Sequence, residues 1–121
     1  MIYIIDDDLS VRRSFQLLLS SANFNFQSFK SAEDFLTSYC RGLDDLLILD
    51  IHMPDMDGCA LLNELKARAI KIPVLIVTAY DEQHSRDCAK EYGAIAYLKK
   101  PIDGEALIDL IKYYQKDNLS G

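Results

Sequence analysis

The stretch LLILDIHMPDMDG, residues 46–58, decides the fold of this chain. Its first four residues form an uninterrupted apolar run, and Asp50 ends that run. A short continuous run of this kind is typical of a central strand that is buried on both faces. Pro54 and Gly58 then mark a loop, and leucines recur with helical spacing after it. The stretch therefore predicts a buried strand that ends in a carboxylate, followed by a loop and a helix.

The same alternation of an apolar run and a helical pattern occurs five times along the chain. The predicted strands are residues 2–5, 24–29, 46–49, 73–77 and 95–98, of which the second is more mixed and is marked by Phe24, Phe26 and Phe29. Five such βα units predict an α/β domain in which a parallel sheet carries helices on both faces. We expect this domain to cover residues 1–116, and residues 117–121 to be a tail or the start of a linker.

The composition fits one ordinary globular domain and excludes several function classes. The chain has 121 residues, half of them apolar, and a net charge of −6. An acidic chain without a basic stripe is not expected to bind DNA directly or to associate with anionic membranes. No apolar segment approaches the roughly 20 residues of a membrane span, and the N-terminus has no signal-peptide pattern. We expect a cytoplasmic protein.

The cysteines and histidines give no sign of a second site. Cys40, Cys59 and Cys88 are odd in number, widely spaced and without a C-x-x-C pair. This pattern predicts reduced thiols in a cytosolic protein. His52 and His84 are interpreted as lacking a second histidine or cysteine at ligand spacing, so their side chains are not expected to bind metal.

Polar side chains stand where four of the predicted strands end. Asp6 and Asp7 follow the first run, Asp50 ends the third, Thr78 ends the fourth, and Lys100 follows the fifth. The carboxyl ends of parallel strands meet at one edge of the sheet, which is where open α/β sheets bind ligands. We therefore expect these five side chains to lie close together.

The chemistry of that set points to a cation and a phosphate. Three converging carboxylates repel one another unless a positive charge joins them, and a hard divalent cation prefers oxygen ligands. The hydroxyl of Thr78 and the ammonium of Lys100 supply the donors that a phosphoryl group needs. Asp8, the third acidic residue in the row, is interpreted as the start of a helix, where a carboxylate complements the helix dipole.

Four segments together resemble the signature of response-regulator receiver domains. They are IIDDDLSVRRS, LILDIHMPDMDG, VLIVTAY and AYLKKP, in this order along the chain. The stretches SVRRSFQLLLSSA, SFKSAEDFL and LKARAIKIPVLIVTA further resemble the FixJ-type branch of that family. The resemblance implies a flavodoxin-like (βα)5 fold, a doubly wound parallel sheet with strand order 2-1-3-4-5.

The resemblance also assigns roles at the predicted phosphorylation and metal site. Asp50 is similar to the phosphoacceptor of the family. Asp7 matches the direct ligand of Mg²⁺ or Mn²⁺, and Asp6 matches the residue that holds the ion through water. The backbone carbonyl of His52 would be the third protein ligand.

Further roles concern the response to phosphorylation. Thr78 resembles the switch hydroxyl that turns toward the phosphoryl group, and Tyr97 resembles the aromatic switch that follows it. Lys100 matches the phosphate-binding lysine, whose bond to Pro101 is usually cis in the family. Tyr80 and His52 stand at two positions that vary in the family and affect how long the phosphorylated state lasts.

The function implied is that of a phosphorylation-activated switch in a two-component system, not of a turnover enzyme. A sensor histidine kinase would donate the phosphoryl group. A homodimer would form through the fourth helix, fifth strand and fifth helix. Members of the branch usually carry a helix-turn-helix output domain of the LuxR type, so transcription regulation is expected if such a domain follows. The alternative is a free-standing receiver that acts through a protein partner.

Two other function classes use similar residues. Phosphatases of the haloacid-dehalogenase type also group an aspartate, a hydroxyl residue and a lysine around Mg²⁺. They need a second aspartate two residues after the nucleophile, where this chain has His52. An adaptor domain whose acidic pocket only binds metal is the other class, and labelling by acetyl phosphate distinguishes it from a switch.

Overall fold

A computed structural model describes residues 1–42, 44–53 and 57–120, the last five of these by their backbone alone. Strands and helices alternate throughout these residues. The elements are β1 (Ile2–Ile5), α1 (Leu9–Ser21), β2 (Phe26–Phe29), α2 (Ala32–Ser38), β3 (Leu46–Asp50), α3 (Gly58–Ala67), β4 (Val74–Thr78), α4 (Gln83–Tyr92), β5 (Ala96–Lys99) and α5 (Gly104–Ser120).

The five strands form one parallel sheet in the order β2-β1-β3-β4-β5, as predicted. The chain moves from β1 to β2 on one side and then returns to place β3 on the other side of β1. This reversal leaves a crevice at the carboxyl ends of β1 and β3, where doubly wound sheets bind their ligands. Asp6 follows β1 and Asp50 ends β3, so the topology brings both carboxylates to this crevice.

Two apolar cores cover the two faces of the sheet. Alternate residues of a strand point to opposite faces, and the central strands are buried on both. On one face, Ile4 and Ile48 pack with side chains of α1 and α5. On the other face, Leu47 and Leu49 pack with side chains of α2, α3 and α4. The crevice therefore lies at the edge of a sheet that helices cover on both faces.

Asp8 begins a helix, as predicted, and two other helices also end or begin at residues with clear capping geometry. The Asp8 carboxylate accepts hydrogen bonds from the backbone N–H groups of Ser10 and Val11, so Asp8 is the N-cap of α1. Ser31 caps α2 in the same way. Gly93 ends α4 in the left-handed conformation, with φ of 83°.

The predicted boundary between residues 116 and 117 lies inside α5, which extends to Ser120. Gly121, the last residue of the predicted tail, and Pro54, in the predicted loop, lie outside the described residues. Within the described ranges, every helix is too short or too polar to cross a lipid bilayer.

The prediction of three reduced thiols is wrong for two of the cysteines. Cys59 at the start of α3 and Cys88 in α4 form a disulfide bond, with 5.6 Å between their Cα atoms. Cys40 is a free, exposed thiol. The two paired residues are 29 positions apart, and their contact depends on how α3 packs against α4, which no local spacing reveals.

Candidate functional site

Three carboxylates converge at the crevice between β1 and β3. One side-chain oxygen from each of Asp6, Asp7 and Asp50 lies within 4.8 Å of the other two. Asp6 is 1% exposed and Asp50 is 5% exposed, whereas Asp7 faces solvent. Two buried carboxylates and one exposed carboxylate form a negatively charged pocket that opens to solvent on one side. We call this set the acidic group.

Lys100 supplies the positive charge on the other side of the acidic group. Its Nζ lies 2.9 Å from Asp6 Oδ2 and 3.6 Å from Asp50 Oδ2. Burial alone would lower the pKa of this ammonium, but the hydrogen bond to Asp6 and the charges of Asp50 and Asp6 outweigh that effect and raise the pKa. Lys100 is therefore firmly charged and is held beside the oxygens of Asp50.

The carboxyl of Asp50 is held in an unfavourable environment for its negative charge. Its pKa is raised from 3.8 to about 6, first by burial and then by the charge of Asp6. The backbone N–H of His52, 3.1 Å from Asp50 Oδ1, and the ammonium of Lys100 oppose the shift without cancelling it. An additional positive charge near Asp50 would stabilise its carboxylate and lower its pKa.

The donor set fits a hard divalent cation. It consists of carboxylate oxygens at the carboxyl ends of β1 and β3, the ligand type that Mg²⁺ and Mn²⁺ prefer, and burial together with the charge of Asp6 disfavours the negative charge of Asp50. His52 lies beside the group, since its N–H donates to Asp50. Asp8 is not expected to bind this cation, because its carboxylate caps the N-terminus of α1.

Thr78 lies at the end of β4 and is completely buried. Its hydroxyl donates to the carbonyl oxygen of Tyr80 at 2.8 Å and accepts from the Tyr80 N–H at 3.0 Å. The backbone N–H of Lys100 donates to the Thr78 carbonyl at 2.7 Å, so the ends of β4 and β5 are joined next to the acidic group. The hydroxyl is therefore engaged with the β4–α4 loop in this conformation.

Tyr97 lies in β5, half-buried, with its ring packed against the core of the α4 face. Its hydroxyl is buried and makes no hydrogen bond with the residues that the structure describes. Burial raises the pKa of this phenol, and the nearby charge of Asp81 raises it further. The Asp81 side chain and the Glu82 backbone lie close enough to this hydroxyl to shift its pKa, so potential partners are near the present position of the ring.

The structure thus brings Asp6, Asp7, Asp50 and Lys100 into one site and places Thr78 on the adjacent strand end. The bond between Lys100 and Pro101 is cis, as the resemblance implied.

Sequence reasoning missed a second cluster, formed by Cys59, His84 and Cys88. The interpretation that His84 lacks a partner at ligand spacing is wrong. His84 and Cys88 are four residues apart on α4, and this i, i+4 spacing was the available signal.

Comparison with protein families gives one match that covers nearly the whole chain. The model described as "Response regulator receiver domain" matches residues 2–112. Among curated proteins, the chain is 37% identical over 118 residues to the DNA-binding transcriptional regulator NtrC of Klebsiella pneumoniae. That match covers 94% of this chain and 25% of NtrC. The transcriptional regulatory protein FixJ of Bradyrhizobium diazoefficiens is 34% identical over 111 residues, which cover 92% of this chain and 54% of FixJ.

Solved structures agree with these sequence matches. The response regulator StyR superposes with a TM-score of 0.88 at 34% identity, covering 98% of this chain and 60% of the StyR chain. The crystal structure of FixJ-N gives a TM-score of 0.85 at 30% identity, covering 95% of this chain and 92% of that chain. The chain spans from about a quarter to about half of the length of the curated relatives named above.

Proposed function

The chain belongs to the response regulator receiver domain family, whose members are phosphoacceptors in two-component signalling, and on this premise we propose that Asp50 accepts the phosphoryl group. One observation carries the assignment. The Asp50 carboxylate lies at the reversal point of the sheet, within 4.8 Å of the Asp6 and Asp7 oxygens and 3.6 Å from the Lys100 ammonium. A nucleophilic oxygen, a cation-binding set and a fixed positive charge are the parts that phosphoryl transfer needs.

We further propose that Asp7 and Asp6, together with Asp50 and the backbone carbonyl of His52, hold Mg²⁺ or Mn²⁺. The exposed position of Asp7 supports its assignment as the direct ligand, and the hydrogen bonds of Asp6 to Lys100 and to the Asp8 N–H support a role through water. When bound, the ion supplies positive charge to the oxygens of the transferred group. It would also offset the burial and the repulsion by Asp6 that together raise the pKa of Asp50.

The proposed donor is the phosphohistidine of a sensor histidine kinase. An Asp50 oxygen attacks phosphorus, the P–N bond to the imidazole breaks, and the imidazole leaves and takes up a proton from solvent. Lys100, already beside Asp50, neutralises an oxygen of the transferred group. Because the product is an acyl phosphate on the protein itself, we propose a switch and not an enzyme that turns over a substrate.

The response proposed for this switch starts at Thr78. Its hydroxyl would leave Tyr80 and donate to the phosphoryl oxygen, and Tyr97 would move toward the space vacated near the β4–α4 loop. This change would alter the surface formed by α4, β5 and α5, which we propose as a phosphorylation-dependent homodimer interface. The low burial of α4, in which only Ser85 and Ala89 are buried, supports its assignment as the moving element.

The biological setting is proposed from the relatives. NtrC and FixJ are named as transcriptional regulators, so we propose that this receiver, residues 1–116, controls a transcriptional output through a segment that begins at residues 117–121. In this arrangement the receiver does not contact DNA itself, in line with its net charge of −6, and it acts in the cytoplasm.

Acetyl phosphate labelling tests the assignment. With Mg²⁺ present, intact-mass measurement is expected to show one added phosphoryl group on the wild-type protein and none on Asp50→Asn. Asp45→Asn is the matched control, because Asp45 is a second buried aspartate next to the same strand, and it is expected to label like the wild type. Equal labelling of Asp50→Asn and the wild type would refute the proposal, and absence of labelling in all three would favour the metal-binding adaptor.

A further inference from the structure

A second group of metal-binding side chains lies between α3 and α4, apart from the acidic group. Cys59 is the second residue of α3, and His84 and Cys88 lie on α4. One ligand atom from each of the three side chains lies within 4.8 Å of the other two. The acidic group offers oxygens from the ends of β1 and β3, whereas this cluster offers sulfur and nitrogen from two helices.

The geometry within α4 is suited to holding one ion. His84 and Cys88 are four residues apart, so their side chains lie on the same face of the helix in consecutive turns. The distance from His84 Nε2 to Cys88 Sγ is 3.8 Å. A tetrahedral Zn²⁺ with its usual bond lengths would separate a nitrogen and a sulfur ligand by roughly 3.6 Å. The observed pair is therefore close to the spacing that such an ion requires.

The third ligand comes from the neighbouring helix. The Cα atoms of Cys59 and Cys88 are 5.6 Å apart, close enough for their side chains either to form a disulfide bond or to point at a common ion. The two outcomes exclude each other, because the metal ligand is the thiolate and a disulfide sulfur carries no such charge. The state of this pair therefore controls what the cluster can bind.

We propose that Cys59, His84 and Cys88 form a site for a soft divalent cation of the Zn²⁺ class when the disulfide is reduced. Reduction occurs by exchange with a dithiol. One thiolate of the reductant attacks a cysteine sulfur, breaks the S–S bond and forms a mixed disulfide. The second thiolate of the reductant then attacks the reductant's own sulfur in that mixed disulfide and releases the remaining cysteine. The two cysteines gain two electrons and the reductant's two protons, and the reductant becomes a disulfide. Binding of the cation then releases the two thiol protons.

The choice of cation follows from the ligands. Two thiolates and an imidazole favour Zn²⁺ over Mg²⁺, which prefers the oxygens of the acidic group. Cys59 is buried, Cys88 is half-buried and His84 is exposed, so the ion can enter from the His84 side. A pocket of about 340 Å³ next to the three ligands leaves space for a water molecule as the fourth ligand.

Cobalt substitution tests the site with a signal that carboxylates do not produce. The full chain is reduced with a dithiol, freed of it by anaerobic gel filtration, and titrated with Co²⁺ in excess Mg²⁺, which fills the acidic group. We expect one Co²⁺ per chain, a thiolate-to-cobalt absorption band, and loss of that band when one equivalent of Zn²⁺ is added. The protein that retains its disulfide is expected to give no band.

Variants separate this site from other thiols. Cys40→Ser, which removes the exposed thiol, is expected to keep the band, and the double variant Cys59→Ser, Cys88→Ser is expected to lose it. His84→Asn, a surface change that leaves both thiols in place, is expected to weaken Co²⁺ binding by more than the roughly tenfold typical of losing an outer-shell partner. Absence of the band in the reduced wild type, or an unchanged band in either the double variant or His84→Asn, would overturn the assignment.

Discussion

Two buried aspartates bracket β3, and their surroundings give them different roles. Asp45, just before the strand, accepts hydrogen bonds from the Tyr39 hydroxyl at 3.0 Å and the Gly42 N–H at 2.8 Å. It also lies 3.5 Å from the N-terminal ammonium. Asp50, at the other end, shares Lys100 with Asp6 and keeps a raised pKa. At the residue scale, the first carboxylate supports the fold and the second is left available for chemistry.

The raised pKa of Asp50 predicts a pH-dependent stability difference. Between about pH 4 and pH 6 the folded protein keeps a proton on Asp50 that the unfolded chain has lost, so the free energy of unfolding falls as pH rises through this window. In metal-free buffer at pH 7.5, Asp50→Asn is therefore expected to be more stable than the wild type by about 1–2 kcal/mol, after allowance for solvent at the open edge.

Urea denaturation at several pH values measures this effect. The advantage of Asp50→Asn should shrink as pH falls from 6 and disappear only below the ordinary pKa of 3.8, at about pH 3, where the wild-type carboxyl is protonated in both states. Asp45→Asn should instead be less stable than the wild type at pH 7.5, because a neutral amide replaces the charged carboxylate that accepts from Tyr39 and Gly42 and faces the N-terminal ammonium. If the difference in the free energy of unfolding between Asp50→Asn and the wild type stayed constant from pH 4 to 8, the raised pKa of Asp50 would be contradicted.

At the element scale, the position of α3 depends on its first residue. A Cβ atom on Gly58 would lie 2.6 Å from Ile51 Cα and 2.7 Å from Ile51 Cγ1, so the start of α3 packs directly on the backbone that follows β3. The Gly58 N–H also donates to the Ile51 carbonyl at 2.9 Å. Glycine is required here by close approach of two backbone segments, one of which carries Asp50.

Gly58→Ala is therefore expected to destabilise the protein by about 1–3 kcal/mol, as overpacking against an immobile backbone does. Gly104→Ala is the matched control, because Gly104 also begins a helix and its Cβ would meet only the flexible end of Leu18, at 3.0 Å. We expect the control to stay within about 0.5 kcal/mol of the wild type. Thermal or urea unfolding measures both, and equal stability of the two variants would contradict the packing argument.

The β4–α4 loop is the second element with a predicted response. Thr78→Ala is expected to accept phosphate, because Lys100 and the acidic group remain, but to lose the conformational response. The hydroxyl is the proposed differential contact between the resting and phosphorylated states, and an equilibrium shifts only through such contacts. Thr78→Ser, which keeps the hydroxyl, is expected to retain the response.

Phosphorylation stoichiometry and amide NMR shifts around Tyr97, measured on the same samples, distinguish the two steps. The expected result for Thr78→Ala is full labelling with resting-state shifts. A labelled Thr78→Ala protein that shows the complete wild-type shift change would disprove the coupling and leave Asp50 as the acceptor.

At the scale of the whole molecule, the parts of the fold that could be predicted from sequence are those with a local cause. The continuous apolar run that ends in Asp50 predicts a buried strand, and parallel topology then brings residues as distant as Asp6 and Lys100 to one edge. The disulfide between Cys59 and Cys88 has no local cause. It arises from the packing of α3 against α4, so cysteine count and spacing gave the wrong prediction.

The most direct test of the central claim locates the phosphoryl group in the whole protein. After labelling with acetyl phosphate and Mg²⁺, borohydride reduction converts an aspartyl phosphate to homoserine, and peptide mass spectrometry identifies its position. The account predicts homoserine at residue 50 in the wild-type protein, with residues 6, 7 and 45 unchanged. Homoserine at any of those three positions, with Asp50 intact, would contradict the assignment of Asp50 as the phosphoacceptor.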